Sequence, residues 1–329
     1  LIYMKYLYYL LIFFQFSCHY QKTENKQEKE LEGNTNLLRA EIFYPNEIFD
    51  VIKISSIGDF FVIASVKADT LIHIYGDSPL TLKSSFGKKG EGPLDLMLPI
   101  LCNTTSDKAI IGGFDRLSTF ITYTFDGNNF VLHEKYKIPQ NGNPMNDIAF
   151  IDSTRLIFND IFDLQLKSLD LNNNKQKLLR KFEKDDHRES FFYSNKGHLA
   201  VSSESMAYAY SYKDQIDFMD LNGKVIHVVK KDNRKPSITI DPNADNKYYY
   251  ANIFATKNFY YALYRNKTTN EFIKGQYKGD VIEVYNNEGT LVRTYSFDIS
   301  PIIYAVDQND KRMVGFNAQK EALLIYDLP

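Results

Sequence analysis

Six histidines, two cysteines and a spread of carboxylates are the side chains here most able to do chemistry. His19, His73, His133, His187, His198 and His227 are scattered, with no close pair placed as metal ligands on one helix or strand would be. Two cysteines, Cys18 and Cys102, cannot make a disulfide framework. Cys102 ends the apolar run Leu98-Pro-Ile-Leu-Cys102 and reads as a buried, inert thiol. The chain has no Gly-x-Ser-x-Gly elbow and no His-Glu-x-x-His, so neither of those hydrolytic chemistries is encoded. A glycosidase would need two carboxylates at a fixed separation, which spacing along the chain does not supply. Asp241-Pro-Asn-Ala-Asp245-Asn246 sets oxygen ligands at alternate positions, as a calcium loop begins. Asn246 replaces the turn glycine and Asn252 the closing glutamate, so it reads as a polar loop. No cofactor is expected, and calcium is the one ion left open. Phe86-Gly-Lys-Lys-Gly-Glu-Gly-Pro93 is rich enough in glycine to cradle phosphate. No Gly-Lys-Ser/Thr and no helical pattern follows, so a tight chain crossing is the better reading. Tyr208, Tyr210 and Tyr212 alternate and share one face of a strand; they could grip a sugar, but packing between layers is the commoner use.

The elements that must position these residues are β-strands. The 329-residue chain has 39 Lys+Arg against 41 Asp+Glu, a balance that asks for no nucleic acid. Aromatic residues make up 15%, with 24 Tyr, 24 Phe and no Trp, a composition that suits pleated, half-buried surfaces. No long segment carries helical apolar spacing.

The first 18 residues read as an address. Met4 is taken as the start; Lys5 follows, then an apolar run to Phe14 and Ser17-Cys18. A basic start, a short apolar stretch and a small residue before the cut make a secretory signal, too short to span a bilayer as a helix. Ser17-Cys18 resembles the lipobox of bacterial lipoproteins, which implies acylation of Cys18, with Gln15 and Phe16 departing from the usual pattern. Residues 19–37 are polar and read as a flexible tether.

From 38 to 329 a unit repeats: a strand ends in an apolar residue, then Asp, Asn or Gly, then a turn. Taking Gly76, Asp126, Asp170, Asp220, Asn286 and Asp327 as anchors, the steps are 50, 44, 50, 66 and 41 residues. Strands repeating at this period are what propeller blades produce. The expected fold is therefore an all-β, six-bladed β-propeller of four-stranded antiparallel blades, each anchor closing a third strand. The last unit stops at Pro329 without a fourth strand; Ala40–Tyr44 is expected to supply it and close the ring. Truncation before Ala40 should then be harmless, and truncation past Tyr44 damaging.

The Phe86-to-Pro93 run resembles a signature of TolB-like six-bladed propeller lipoproteins of Bacteroidetes, although Leu94-Asp95 stands where that family usually continues Gly-Glu. The resemblance implies a propeller outside the cytoplasm and no established reaction.

Ligands of propellers sit over the channel, on the face formed by the loops joining second to third strands and by the loops between blades. That face is expected to hold Lys88, Lys89 and Glu91 from the Gly-rich crossing, then Asp115, Arg116, Asp160, Asp163 and Glu204. Arg265 opens a longer excursion that runs to Lys278. The expected function is a non-enzymatic binding or scaffold module for a protein, peptide or glycan, monomeric and lipid-anchored to the outer membrane. The alternative is a carbohydrate- or lactone-active hydrolase or lyase with an acidic or metal site at the channel mouth.

Overall fold

Asp170, Asp220, Asn286 and Asp327 each end a strand, and the side chains of the first three cap the turn that follows. The Asp220 carboxylate accepts the N–H groups of Asn222 (2.9 Å) and Lys224 (3.0 Å), and Asn286 accepts that of Thr290 (2.8 Å). The computed structural model describes residues 35–329 except 47–49, 68, 91, 93–94, 97–99, 105–109, 116–118, 126–128, 138–144, 153, 161–162, 183–193, 232–244 and 275–278. The signal, Cys18 and most of the tether lie outside the described residues. Contacts divide the chain into Leu1–Asn36 and a compact unit, Leu37–Pro329.

The chain begins with β1 (Thr35–Leu38) and β2 (Glu41–Phe43). The first sheet is β3 (Val51–Ile57), β4 (Phe60–Ser65), β5 (Thr70–Asp77) and β6 (Leu80–Lys88). The second pairs β7 (Ile100–Leu101) with β9 (Ile110–Asp115), β10 (Thr119–Phe125) and β11 (Phe130–Lys137). The third holds β12 (Met145–Phe150), β13 (Arg155–Asp160), β14 (Gln165–Asp170) and β15 (Lys175–Lys181), with β8 (Asn103–Thr104) parallel to β12. The fourth is β16 (Gly197–Val201), β17 (Ser205–Tyr210), β18 (Gln215–Asp220) and β19 (Val225–Lys230). The fifth is β20 (Lys247–Ala255), β21 (Phe259–Thr268), β22 (Val281–Asn286) and β23 (Leu291–Phe297), with β1 added on the outer edge beside β23 and the short helix α1 (Thr269–Ile273) in the excursion after β21. The sixth is β24 (Ile303–Val306), β25 (Arg312–Asn317) and β26 (Ala322–Asp327), completed by β2. The protein is an all-β β-propeller with four-stranded antiparallel blades.

First strands touch in cyclic order: β24 to β3, β3 to β7 and β8, β8 to β12, β12 to β16, β16 to β20, and β20 back to β24. The missing fourth strand of the last sheet is β2, with Glu41 opposite Ile325, Ile42 opposite Leu324 and Phe43 opposite Leu323. The truncation boundary needs one correction. Leu38 is buried, and its carbonyl accepts the N–H of Asp298 (3.2 Å). The segment before Ala40 is therefore part of the core, so trimming to Ala40 costs stability.

Apolar side chains of neighbouring sheets meet in continuous clusters, and Tyr75, Tyr208, Tyr250, Tyr260, Tyr261, Tyr285, Tyr304 and Tyr326 are fully buried. A buried tyrosine needs a partner for its hydroxyl. Tyr208 donates to Asn195 O (2.8 Å) and Tyr304 to Tyr261 O (2.6 Å). Tyr208 and Tyr210 pack against Phe182, so packing between layers is their use. Cys102 is free and buried where the chain passes from the second sheet to the third, and burial pushes its thiol pKa well up, which makes it inert.

Three residues before each anchor stand His73, Tyr123, Lys167, Asp217, Glu283 and Leu324. Two of these join sheets. Asp217 accepts Arg180 of β15 (2.7 Å) and Tyr210 (2.7 Å); Glu283 accepts Lys231, which follows β19, and Tyr285 (2.7 Å).

In the Gly-rich crossing, Gly87 takes φ +76°, and an added Cβ would lie 2.5 Å from Leu96 Cδ1. Asp95 accepts the N–H of Gly92 (2.9 Å), and Leu96 donates its N–H to Lys88 O (2.9 Å). These groups are spent on the turn itself.

Candidate functional site

Each first strand begins on the face formed by the loops between sheets. Several first strands place a polar residue near that end: Lys53 in β3, Asp147 in β12, His198 in β16 and Tyr248 in β20. Arg265 of β21 approaches the same end and is buried.

Asp147 and His198 form the centre. The ladder between β12 and β13 slips between Asn146 and Ala149, and Asp147 sits in the slip with φ +46°. A bulge re-aims a side chain, and a non-glycine residue at positive φ is strained unless its surroundings hold it there. They do so here: Asp147 Oδ2 accepts the N–H of Leu199 (3.2 Å) and lies 3.9 Å from His198 Nδ1. The His198 side chain is 23% exposed, yet its Nε2 is enclosed and meets no hydrogen-bond partner among the described residues. Burial holds the imidazole below the usual histidine pKa. Asp147 opposes this, while Lys53, Lys196 and Arg265 reinforce it. The ring is therefore neutral near pH 7.

The charges that act on His198 come from several sheets. Lys53 belongs to the first sheet, Asp147 to the third, Lys196 and His198 to the fourth, and Arg265 to the fifth. β3 and β16 are not neighbours in the cycle, so the charge of Lys53 acts on His198 from a non-adjacent sheet. Tyr248 adds a half-buried ring, set edge-on to Tyr212 (5.5 Å) and accepting a hydrogen bond from Ser211 (3.5 Å). Behind it, Arg265 Nε stands 3.3 Å from Asp280, which also pairs with Lys267 and accepts Ser300 Oγ (3.1 Å). Burial raises the Asp280 pKa, and Lys267 and Arg265 pull it back.

The depressed histidine makes stability depend on pH. A histidine whose folded pKa is depressed stabilises the fold above its unfolded pKa, about 6.5, and this contribution is lost as pH falls toward the folded value. Urea midpoints measured from pH 7.5 to 5 should fall on acidification, by at most about 1.4 kcal/mol per pH unit from this group. His198→Gln should flatten the slope; an unchanged slope would remove His198 as its source.

The expected site residues fare differently. Lys88 ends β6; Lys89 is held by its Nζ to Val66 O (3.1 Å) and its N–H to Asp69 O (2.8 Å). Asp115 ends β9, and Glu91 and Arg116 lie outside the described residues. Asp160 is buried and bound to Lys167 (2.6 Å), with Asp163 on the same ammonium (3.2 Å), so both serve a structural ion pair. Glu204 requires correction: it lies in the turn from β16 to β17, on the opposite face from Arg265. Ser202 fixes that turn by accepting the N–H groups of Glu204 (3.3 Å) and Ser205 (3.1 Å). Arg265 is the expected residue that joins the channel cluster. In the calcium-like loop, residues 241–244 lie outside the described residues. Asp245 accepts the N–H of Asn270 (2.9 Å), and the Asn246 carbonyl accepts that of Thr269 (2.9 Å), so both hold α1. The described residues contain no group of three or more His, Cys, Asp or Glu able to hold a metal.

A cleft of about 400 Å³ opens on the opposite face, lined by Asp59, Ser78, Asp307, Asn309, Lys311, Arg312 and Asp327. Its polar groups hold loops: Asp307 accepts the N–H groups of Lys311 (2.7 Å) and Arg312 (2.8 Å), and Asp327 pairs with Arg312 (3.2 Å).

Known structures share this architecture. A member of the DUF4221 family from Bacteroides vulgatus is similar at 12% identity and TM-score 0.60, over 89% of this chain and 97% of that one. The structure of U3-55K is similar at 7% identity and TM-score 0.50, over 84% and 80%. That of the RRP9 WD40 repeats is similar at 7% and 0.50, over 85% and 80%. At these identities the likeness is one of fold. No protein-family profile and no curated protein matches the chain.

Proposed function

We propose that the chain is an exported, six-bladed β-propeller of the TolB-like lipoprotein kind, acting as a non-enzymatic binding module. Its site is the channel mouth around Asp147 and His198, and its ligand a protein, peptide or glycan. The observation that carries this reading is the convergence of polar side chains from four sheets on a strained Asp147 and a His198 whose Nε2 has no partner among the described residues. Six sheets whose first strands touch in cyclic order, the last completed by β2, support six blades.

Peptide and glycan arrays probed with the wild-type protein and with an Asp147→Asn/His198→Ala variant test the site. A ligand held by the wild type and lost by the variant supports it; undiminished binding by a folded variant moves the site elsewhere.

The tether reading assigns the protein to the outer membrane through lipid on Cys18, as a monomer and without a cofactor. The Cys18→Ala variant should leave the membrane fraction; if it still pellets with membranes, lipid is not the anchor. A second reading, a carbohydrate- or lactone-active hydrolase or lyase, draws on the same neutral imidazole beside Asp147, an arrangement suited to a general base. Turnover of an array ligand that disappears in His198→Ala would favour it.

A further inference from the structure

We infer that the outer edge of β19 is a docking strand for an extended acidic segment of a partner protein, which adds to the fourth sheet as its fifth strand. This surface is separate from the channel mouth and stands or falls apart from it.

Exposed apolar side chains point to this edge. Among the described residues, the large ones lie on strands at the outer edges of the sheets or, for Tyr44, just after β2. β19 holds three of them, Val225, Ile226 and Val228, more than any other strand. Its two faces look toward different neighbours. Val228 stands opposite Asp217, which binds Arg180 of the third sheet; His227 stands opposite Phe218, which packs on Tyr260 and Tyr285 of the fifth. Neither neighbour covers the strand, and no further strand among the described residues pairs with its outer edge. An aliphatic, β-branched strand with an open edge is a template for another strand. The fifth sheet shows what such an edge takes in this fold: β23 holds the corresponding place, and the four residues of β1 lie along it as a fifth strand.

Charge selects the occupant. Lys224 stands just before β19 and Lys230 ends it; the outer strand of the third sheet, β15, carries Lys175 and Lys181. Neither strand contains a carboxylate. Arg180 and Lys231 are spent on Asp217 and Glu283, whereas these four exposed lysines enter no ion pair among the described residues. Lysines at the ends of an edge bar a second copy of the chain, since two β19 strands paired antiparallel would set lysine against lysine. A strand bearing carboxylates meets the reverse. Main-chain hydrogen bonds attach it, its apolar side chains cover Ile226 and Val228, and its carboxylates reach the lysines. A lipid surface would cover the aliphatic groups but leave the edge N–H and C=O groups unmatched.

Two capped heptapeptides test this, one alternating glutamate and valine, the other lysine and valine. The acidic one is also made with every peptide nitrogen methylated, which removes its N–H donors. In fluorescence polarisation the full chain should bind the acidic peptide and hold the basic and the methylated ones at least about tenfold more weakly. Binding should slow amide exchange in residues 225–230, and added salt should weaken it. Lys224→Glu/Lys230→Glu, both on the surface, should weaken the acidic peptide by about tenfold or more and favour the basic one; Lys83→Glu on β6 should change neither. Equal binding of the acidic and basic peptides overturns the acidic class, and equal binding of the methylated one overturns strand addition. Binding without slowed exchange at 225–230, or silence toward both peptides, overturns the site. Exchange that slows there with protein concentration alone gives the edge to a second copy, and exchange that slows only on phosphatidylglycerol vesicles gives it to a membrane; either overturns the partner proposed. None of these results bears on the His198-dependent array signal, which tests the channel mouth by itself.

Discussion

A chain beginning at Pro45 should melt about 10 °C below one beginning at Leu37. Two losses combine. The sixth sheet loses β2, which leaves the edge of β26 unpaired beside Leu323 and Leu324. The core loses Leu38 and Phe43, the latter edge-on to Tyr75 of the first sheet (6.0 Å). Deleting one large buried aliphatic side chain costs about 2–5 kcal/mol, and each kcal/mol moves the melting point of a domain this large by about 2–4 °C. An intermediate chain beginning at Ala40 separates the terms, because it keeps β2 and lacks Leu38. Equal melting temperatures for the Leu37 and Pro45 chains would mean that β2 does not close the last sheet.

Asp217→Ala should be the most damaging single substitution among the inter-sheet contacts. It removes the acceptor for Arg180, Tyr210 and Gln215 together (2.7, 2.7 and 2.6 Å) and leaves a guanidinium of which about one fifth is exposed. Breaking one partner of a buried pair costs about 3–5 kcal/mol, a melting shift of roughly 6–20 °C at this size. Arg180→Met in the same background should recover part of the loss, since it removes the orphaned charge. Additive losses in the double variant would mean that the pair carries no coupling.

Much of the frame is legible along the chain because turn chemistry is local. Asp170, Asp220, Asn286 and Asp327 each end a third strand, and an unpaired final unit implies a strand from elsewhere, which β2 supplies. The site is less legible because its residues are near each other only once the first strands stand side by side. Of Lys53, Asp147 and His198, only His198 stands as one polar residue at the start of an apolar run, and that pattern is the signal that could have found it. Charge in loops was the weaker guide. Asp160 looks free in sequence and is claimed by Lys167, seven residues on, across a hairpin. Glu204 sits in a serine-rich turn too short to betray which end of the sheet it caps.

The position three residues before each anchor has a consequence for how such a chain can arise by duplication. Copies of one unit begin with identical seams, and any copy could follow any other. Here Arg180 of the third sheet meets Asp217 of the fourth, and Lys231 after the fourth meets Glu283 of the fifth, whereas the sixth sheet offers Leu324 at that position. Were the fourth unit followed by the sixth, Lys231 would press its ammonium against leucine. These two seams each accept a carboxylate and reject the leucine of the sixth sheet, so part of the order of the units is written in charge.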